Sequence, residues 1–117
     1  MRKLFVFGNE HLPDDALAQE VGKMLKGVEV VQCTSPDQLM DEAAPLILDV
    51  VKNIKKPMLI QDIHQLRTRG IMSMHDFDVA FFLALMQQMG KAMDAKIIGI
   101  PQVGDPKQIA REVQPWI

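Results

Sequence analysis

Five short apolar runs recur along the chain: Lys3–Phe7 (KLFVF), Val28–Gln32, Leu46–Val51 (LILDVV), Pro57–Ile63 and Lys96–Ile100 (KIIGI). A strand with one wet face alternates apolar and polar residues. A continuous apolar run of this length fits a strand buried on both faces. Most of these runs are separated by longer amphipathic stretches. Strands alternating with helices mean an α/β fold with a largely parallel sheet. The link from Asn53 to Lys56 is too short for a helical crossover, so the third and fourth strands are expected to form an antiparallel hairpin. The expected architecture is a three-layer α/β/α sandwich around a mixed, mostly parallel five-stranded sheet.

Helix signals fall between the runs. Pro13, Asp14 and Asp15 open a first helix, with carboxylates at the positive end of its dipole. Leu17, Val21, Met24 and Leu25 give it an apolar face, and Gly27 closes it. Ser35-Pro36-Asp37 is an N-cap followed by an N1 proline, opening a short helix that ends near Pro45. A long, mostly apolar helix is expected within Ser73–Asp94, starting near His75 or Asp76. Pro106–Val113 reads as a last short helix.

The 117 residues are enough for one packed core, so residues 1–117 are read as a single domain. Hydrophobic residues make up 48% and charged residues 24%, which argues against disorder. A net charge of −2 argues against a nucleic-acid partner. No apolar run reaches the roughly 20 residues of a membrane span, so no membrane insertion is expected. The opening MRKLFVFGNE turns polar too soon for a signal peptide, and the one cysteine, Cys33, excludes an internal disulfide framework. A reducing cytoplasm is the expected location.

Ligands on parallel sheets gather beyond the carboxyl ends of the strands. Three places put titratable groups there: the acidic pair Asp14-Asp15 after the first strand, Asp49 inside the third, and His75 ahead of the long helix. Capping explains an acid at a helix start, and His75 also reads as a cap or a satisfied histidine. Asp49 is harder to dismiss. It interrupts an apolar run, and a buried carboxylate is costly unless paired, metal-bound or at a rim. Two carboxylates and an imidazole at one edge make an oxygen and nitrogen site for a divalent metal, with nickel, zinc and cadmium all suited. Three protein ligands leave a position open for a metal that arrives with its substrate or activates water.

The order of these residues resembles the hydrogenase maturation endopeptidases. That family carries a strand, then Gly-Asn, four residues and an acidic pair, as in Gly8-Asn9 and Asp14-Asp15. It continues with an Asp in an apolar third strand, like Asp49 in LILDVV. A Ser/Thr-x-His segment then opens a long helix, as in Ser73-Met74-His75, and a late strand runs into Gly-Ile and proline, as in Gly99 to Pro101. The resemblance implies a three-layer α/β/α fold and a peptidase. The enzyme would remove a C-terminal peptide from the precursor of a nickel hydrogenase large subunit, after nickel insertion. It also implies that Asp15, Asp49 and His75 are both the catalytic residues and the metal ligands. Nickel would be carried by the precursor, and zinc or cadmium would be able to replace it. Two departures stand out. The family's Asp after the second strand is absent from Val30-Val31-Gln32-Cys33-Thr34, and Ala16 stands where a glycine commonly follows the acidic pair. The missing Asp leaves open a second reading, a non-catalytic nickel- or precursor-binding relative.

A third reading, a phosphoacceptor receiver, also has an Asp ending its third strand. It requires an acidic pair directly at the first strand's end and a Lys after the fifth. Here Asp14 lies seven residues past Phe7, and Pro101 and Gln102 follow KIIGI. Among the other polar residues, His11 reads as a loop residue. Asp76 either orients His75 or caps the helix. Asp62 and His64 fall at the opposite edge if the third and fourth strands pair. Arg67 and Arg69 read as a solvated basic turn. Phe77, Phe81, Phe82, Met86, Met89 and Met93 have the spacing of a core-facing helix stripe, and Cys33 reads as a buried thiol.

Overall fold

The structure is a computed structural model that describes residues 2–7, 13–33, 45–52, 54–60, 72–73 and 96–117. The strands are β1 (Arg2–Phe7), β2 (Val28–Cys33), β3 (Leu46–Lys52), β4 (Met58–Ile60), β5 (Met72–Ser73) and β6 (Lys96–Ile100). The helices are α1 (Pro13–Met24) and α2 (Pro106–Val113), the latter followed by a 3-10 turn at Gln114–Trp116. The main path of the sheet runs β2-β1-β3-β6-β4, and short β5 pairs with β3 off that path. β2, β1, β3 and β6 are mutually parallel, and β4 is antiparallel to β6. This is the α/β fold with a mixed, mostly parallel five-stranded path expected from the apolar runs.

The expected hairpin between β3 and β4 is not formed. β4 does run opposite to β3, but β6 lies between them, with Leu59 opposite Ile98 and Asp49 opposite Gly99. Five residues join β3 to β4, a reach of up to about 17 Å. Skipping one strand needs only about 10 Å. The short link therefore fixed direction without fixing adjacency. Burial decides the neighbour. Ile97, Ile98 and Ile100 are all buried, which requires cover on both faces and both edges, whereas Met58 and Leu59 are half-buried and suit an outer place.

Both faces of the sheet are buried, as a layered α/β/α arrangement requires. Leu4, Val6, Leu46, Leu48, Val50, Ile98 and Ile100 share one face and form the main core with the helices. From α1 come Leu17, Ala18 and Val21, and from α2 Ile109, Ala110 and Val113. The intervening residues Phe5, Ile47, Asp49 and Ile97 belong to the other face by strand alternation, and each is at most 4% exposed.

α1 starts at Pro13, the residue the sequence marks. Its Gly22 sits close over the sheet, where a Cβ would lie 3.4 Å from Val30 Cγ2 and 3.5 Å from Val6 Cγ2. Gly27 then adopts φ +82°, the left-handed turn that ends the segment and starts β2. α2 is capped by Asp105, whose Oδ1 accepts from Lys107 N at 3.2 Å, and Pro106 fills the first turn. Gln114 ties the two helices together. Its Oε1 accepts from Lys26 N and its Nε2 donates to Lys26 O, both at 2.9 Å, which satisfies backbone groups just past the end of α1. No described helix is long and apolar enough to cross a membrane. The expected helices within residues 35–45 and 74–94 lie outside the described residues, apart from Pro45. Ser73 belongs to β5.

Candidate functional site

The parallel strands all end at one edge. Phe7, the last residue of β1, is opposite Cys33, the last of β2. Val6 is opposite Leu48, so β1 ends level with Asp49. On the other side Asp49 pairs with Gly99, one residue before the end of β6. Asp49 is thus in the middle of β3 by sequence, yet at the rim set by its neighbours. β3 runs three residues further, to Lys52.

Asp49 is 1% exposed. Leu48 and Val50 belong to the core under α1 and α2, so alternation puts Asp49 on the face away from those helices. The register adds Cys33 to the same row and face, two strands away. Gly99 beside Asp49 has a packing reason. A Cβ there would stand 3.1 Å from Val51 Cγ2 and 3.3 Å from Ile60 Cδ1. The two side chains close over the glycine from its flanking strands. Gly99→Ala is expected to cost about 1–3 kcal/mol through overpacking, read as a lower urea midpoint with an unchanged slope. The sequence signal for this close approach is a glycine inside an otherwise branched strand, KIIGI.

Asp14 and Asp15 are the second and third residues of α1. α1 leads from β1 back to the start of parallel β2, so its first turn lies at the carboxyl edge. Asp15 and Asp49 therefore meet at the same edge of the sheet, Asp15 on a helix of one layer and Asp49 facing the other. The third expected ligand, His75, lies outside the described residues, as do His11, Asp62, His64, Arg67, Arg69 and Asp76. Just ahead of His75 in sequence, Ser73 pairs with Val51, two residues along β3 from Asp49. β4 runs toward the opposite edge from β3, the direction the hairpin expectation gives, although β6 and not β3 is its neighbour. Among the described residues no three His, Cys, Asp or Glu side chains come together as a metal site; the Asp15 side chain and His75 are not among those described.

Cys33 is fully buried, and desolvation pushes its thiol up from 9.0 to about 11. The proton is therefore held more tightly in the folded chain than in the unfolded one. The sign follows: the thiol does not penalise folding below about pH 9, and it costs stability as pH rises from there toward 11. A neutral buried thiol is a poor nucleophile. Iodoacetamide at pH 8 is expected to leave native Cys33 unmodified by intact mass while alkylating it fully in denaturant.

Gln19, one turn along α1 from Asp15, is the other buried polar residue among those described, 7% exposed. Its Nε2 has no hydrogen-bond partner among the described residues. Sequence reading missed it, because a single Gln in LAQEV carries no signal of burial. Comparison with protein-family models, with curated proteins and with solved structures finds no match for this chain.

Proposed function

We propose that this chain is a metal-recognising endopeptidase of the hydrogenase-maturation type. It would act in the cytoplasm to remove a C-terminal peptide from a nickel hydrogenase large-subunit precursor. The observation that carries the reading is Asp49, a buried carboxylate on a central strand, level with the ends of its parallel neighbours. The carboxyl edge is where α/β sheets bind ligands. A carboxylate away from water also attracts a divalent cation more strongly than an exposed one, because less solvent screens the charge. Asp15 shares that edge from the first turn of α1. The ordered resemblance across Gly8-Asn9, Asp14-Asp15, Asp49, Ser73-Met74-His75 and IIGIP supplies the substrate class.

In this reading the nickel is part of the substrate. Asp15, Asp49 and His75 would engage it from this chain's side, and so fix the scissile peptide relative to the rim of the sheet. A carboxylate among them would then hold the attacking water and accept its proton. The sequence carries no His-Glu-x-x-His motif that would offer another hydrolytic device.

A second reading, a non-catalytic relative that binds nickel or the precursor, draws on one observation. The family's Asp after the second strand is missing from Val30 to Thr34. Both readings are tested by incubating the chain with a nickel-loaded large-subunit precursor and measuring intact mass together with co-elution. Loss of a C-terminal peptide, abolished by Asp15→Ala, supports the peptidase. Nickel-dependent co-elution without cleavage supports the second reading. Neither cleavage nor co-elution refutes both.

A further inference from the structure

The placement of β6 between β3 and β4 puts the β3–β4 link across the carboxyl end of β6. β3 flanks that end through Val50 opposite Ile100, and β4 flanks it through Met58 opposite Gly99. With its two ends so placed, the link, described over residues 54–57, passes where the chain leaves β6 for the loop 101–105. Ile54 and Pro57 are half-buried and anchor the link, while Lys55 and Lys56 between them are exposed. The loop that emerges beside them begins at buried Pro101 and exposes Gln102 through Asp105, with Val103 85% exposed. The rim at Asp49 thus carries two cations on an anchored turn and an apolar side chain facing water. Asp105, the exposed carboxylate that ends this loop, is turned to the start of α2, where its Oδ1 accepts from Lys107 N. The chain as a whole carries −2, so this positive turn runs against the overall charge.

We infer that Lys55 and Lys56, with Val103, form a docking surface for an extended acidic peptide whose carboxylate side chains meet the lysines and whose apolar residue meets Val103. This deepens the proposed function and rests on it for the identity of the peptide, a segment of the precursor flanking the cleaved bond. Charge complementarity selects the partner. Lysines at a rim act through steering and salt-dependent attraction, and a neighbouring apolar contact favours a peptide over a small anion.

The test uses the full chain and a fluorescent, end-blocked peptide rich in glutamate and leucine, followed by anisotropy at low and high salt. Its controls are the same peptide with glutamine for glutamate, and that glutamine peptide with a free C-terminal carboxylate. The glutamate peptide is expected to bind roughly tenfold tighter than either control, with the advantage shrinking as salt rises. The double variant Lys55→Glu/Lys56→Glu is expected to lose roughly tenfold of that affinity, Lys55→Ala/Lys56→Ala an intermediate amount, and Val103→Ser about threefold. Both lysines are exposed, so melting curves should be unchanged. Equal binding of glutamate and glutamine peptides overturns the inference, as does full affinity in both lysine double variants. So do tight binding of the free-carboxylate control and preference for a single-stranded oligonucleotide. Cleavage plays no part in this assay, so the two failures separate. A chain that binds the acidic peptide but neither processes nor co-elutes with the precursor sinks the proposed function alone. A chain that processes the precursor, with KM unchanged in the double variant, sinks the docking surface alone.

Discussion

Asp49→Ala is expected, on the proposed function, to abolish nickel-dependent processing of the precursor, slowing it by roughly a hundredfold or more, the scale of losing one preorganised electrostatic group. Asp49 stands at the rim of the parallel strands and is 1% exposed. Alanine removes the carboxylate and leaves a small void, while asparagine keeps the shape and removes the charge. If the role of Asp49 is to attract a cation, both variants lose processing although Asp49→Asn keeps the fold. If Asp49 only organises the strand ends, Asp49→Asn retains near-normal rates. Single-turnover rates, measured beside melting curves for both variants, separate the two outcomes.

Leu48→Ala is expected to be strongly destabilising. Leu48 is fully buried on central β3, between β1 and β6, in the core shared with α1 and α2. Truncating it removes buried methyl groups where strands fixed on both sides cannot collapse into the space. The expected loss is about 2–5 kcal/mol, a large fraction of the ~5–15 kcal/mol that a domain of this kind has. Urea unfolding of the purified variant measures it, and a loss below about 1 kcal/mol would mean the site relaxes or the packing is not as described. The carboxyl edge depends on this core. Leu48 and Asp49 are consecutive residues pointing to opposite faces, so the packing of one sets the position of the other.

The fold was legible where burial alone determined the residues. KLFVF, LILDVV and KIIGI had to be strands covered on both faces, and Pro106–Val113 read as a short helix. Neighbour order was less legible. The β3–β4 link was long enough to skip a strand, and only the all-round burial of Ile97, Ile98 and Ile100 put β6 in the gap. Asp49 stood out because it broke an apolar run. Its pairing with Gly99 did not, since register is set by neighbours far away in sequence. The lysine turn was invisible for the same reason: KK before a proline is ordinary until β6 passes beneath it. Asp15 could be placed at the edge from its helix-start signal. His75 rests on the resemblance alone and lies outside the described residues.

The most direct test of the central claim, that this chain reads the metal state of its substrate through the carboxyl edge, compares two forms of one precursor. Nickel-loaded and nickel-free hydrogenase large-subunit precursors are incubated with the wild-type chain, and the intact mass of each is followed over time. The account predicts loss of a C-terminal peptide from the nickel-loaded form only. Equal cleavage of both forms, or cleavage of the nickel-loaded form at the same rate by Asp49→Asn, would contradict it.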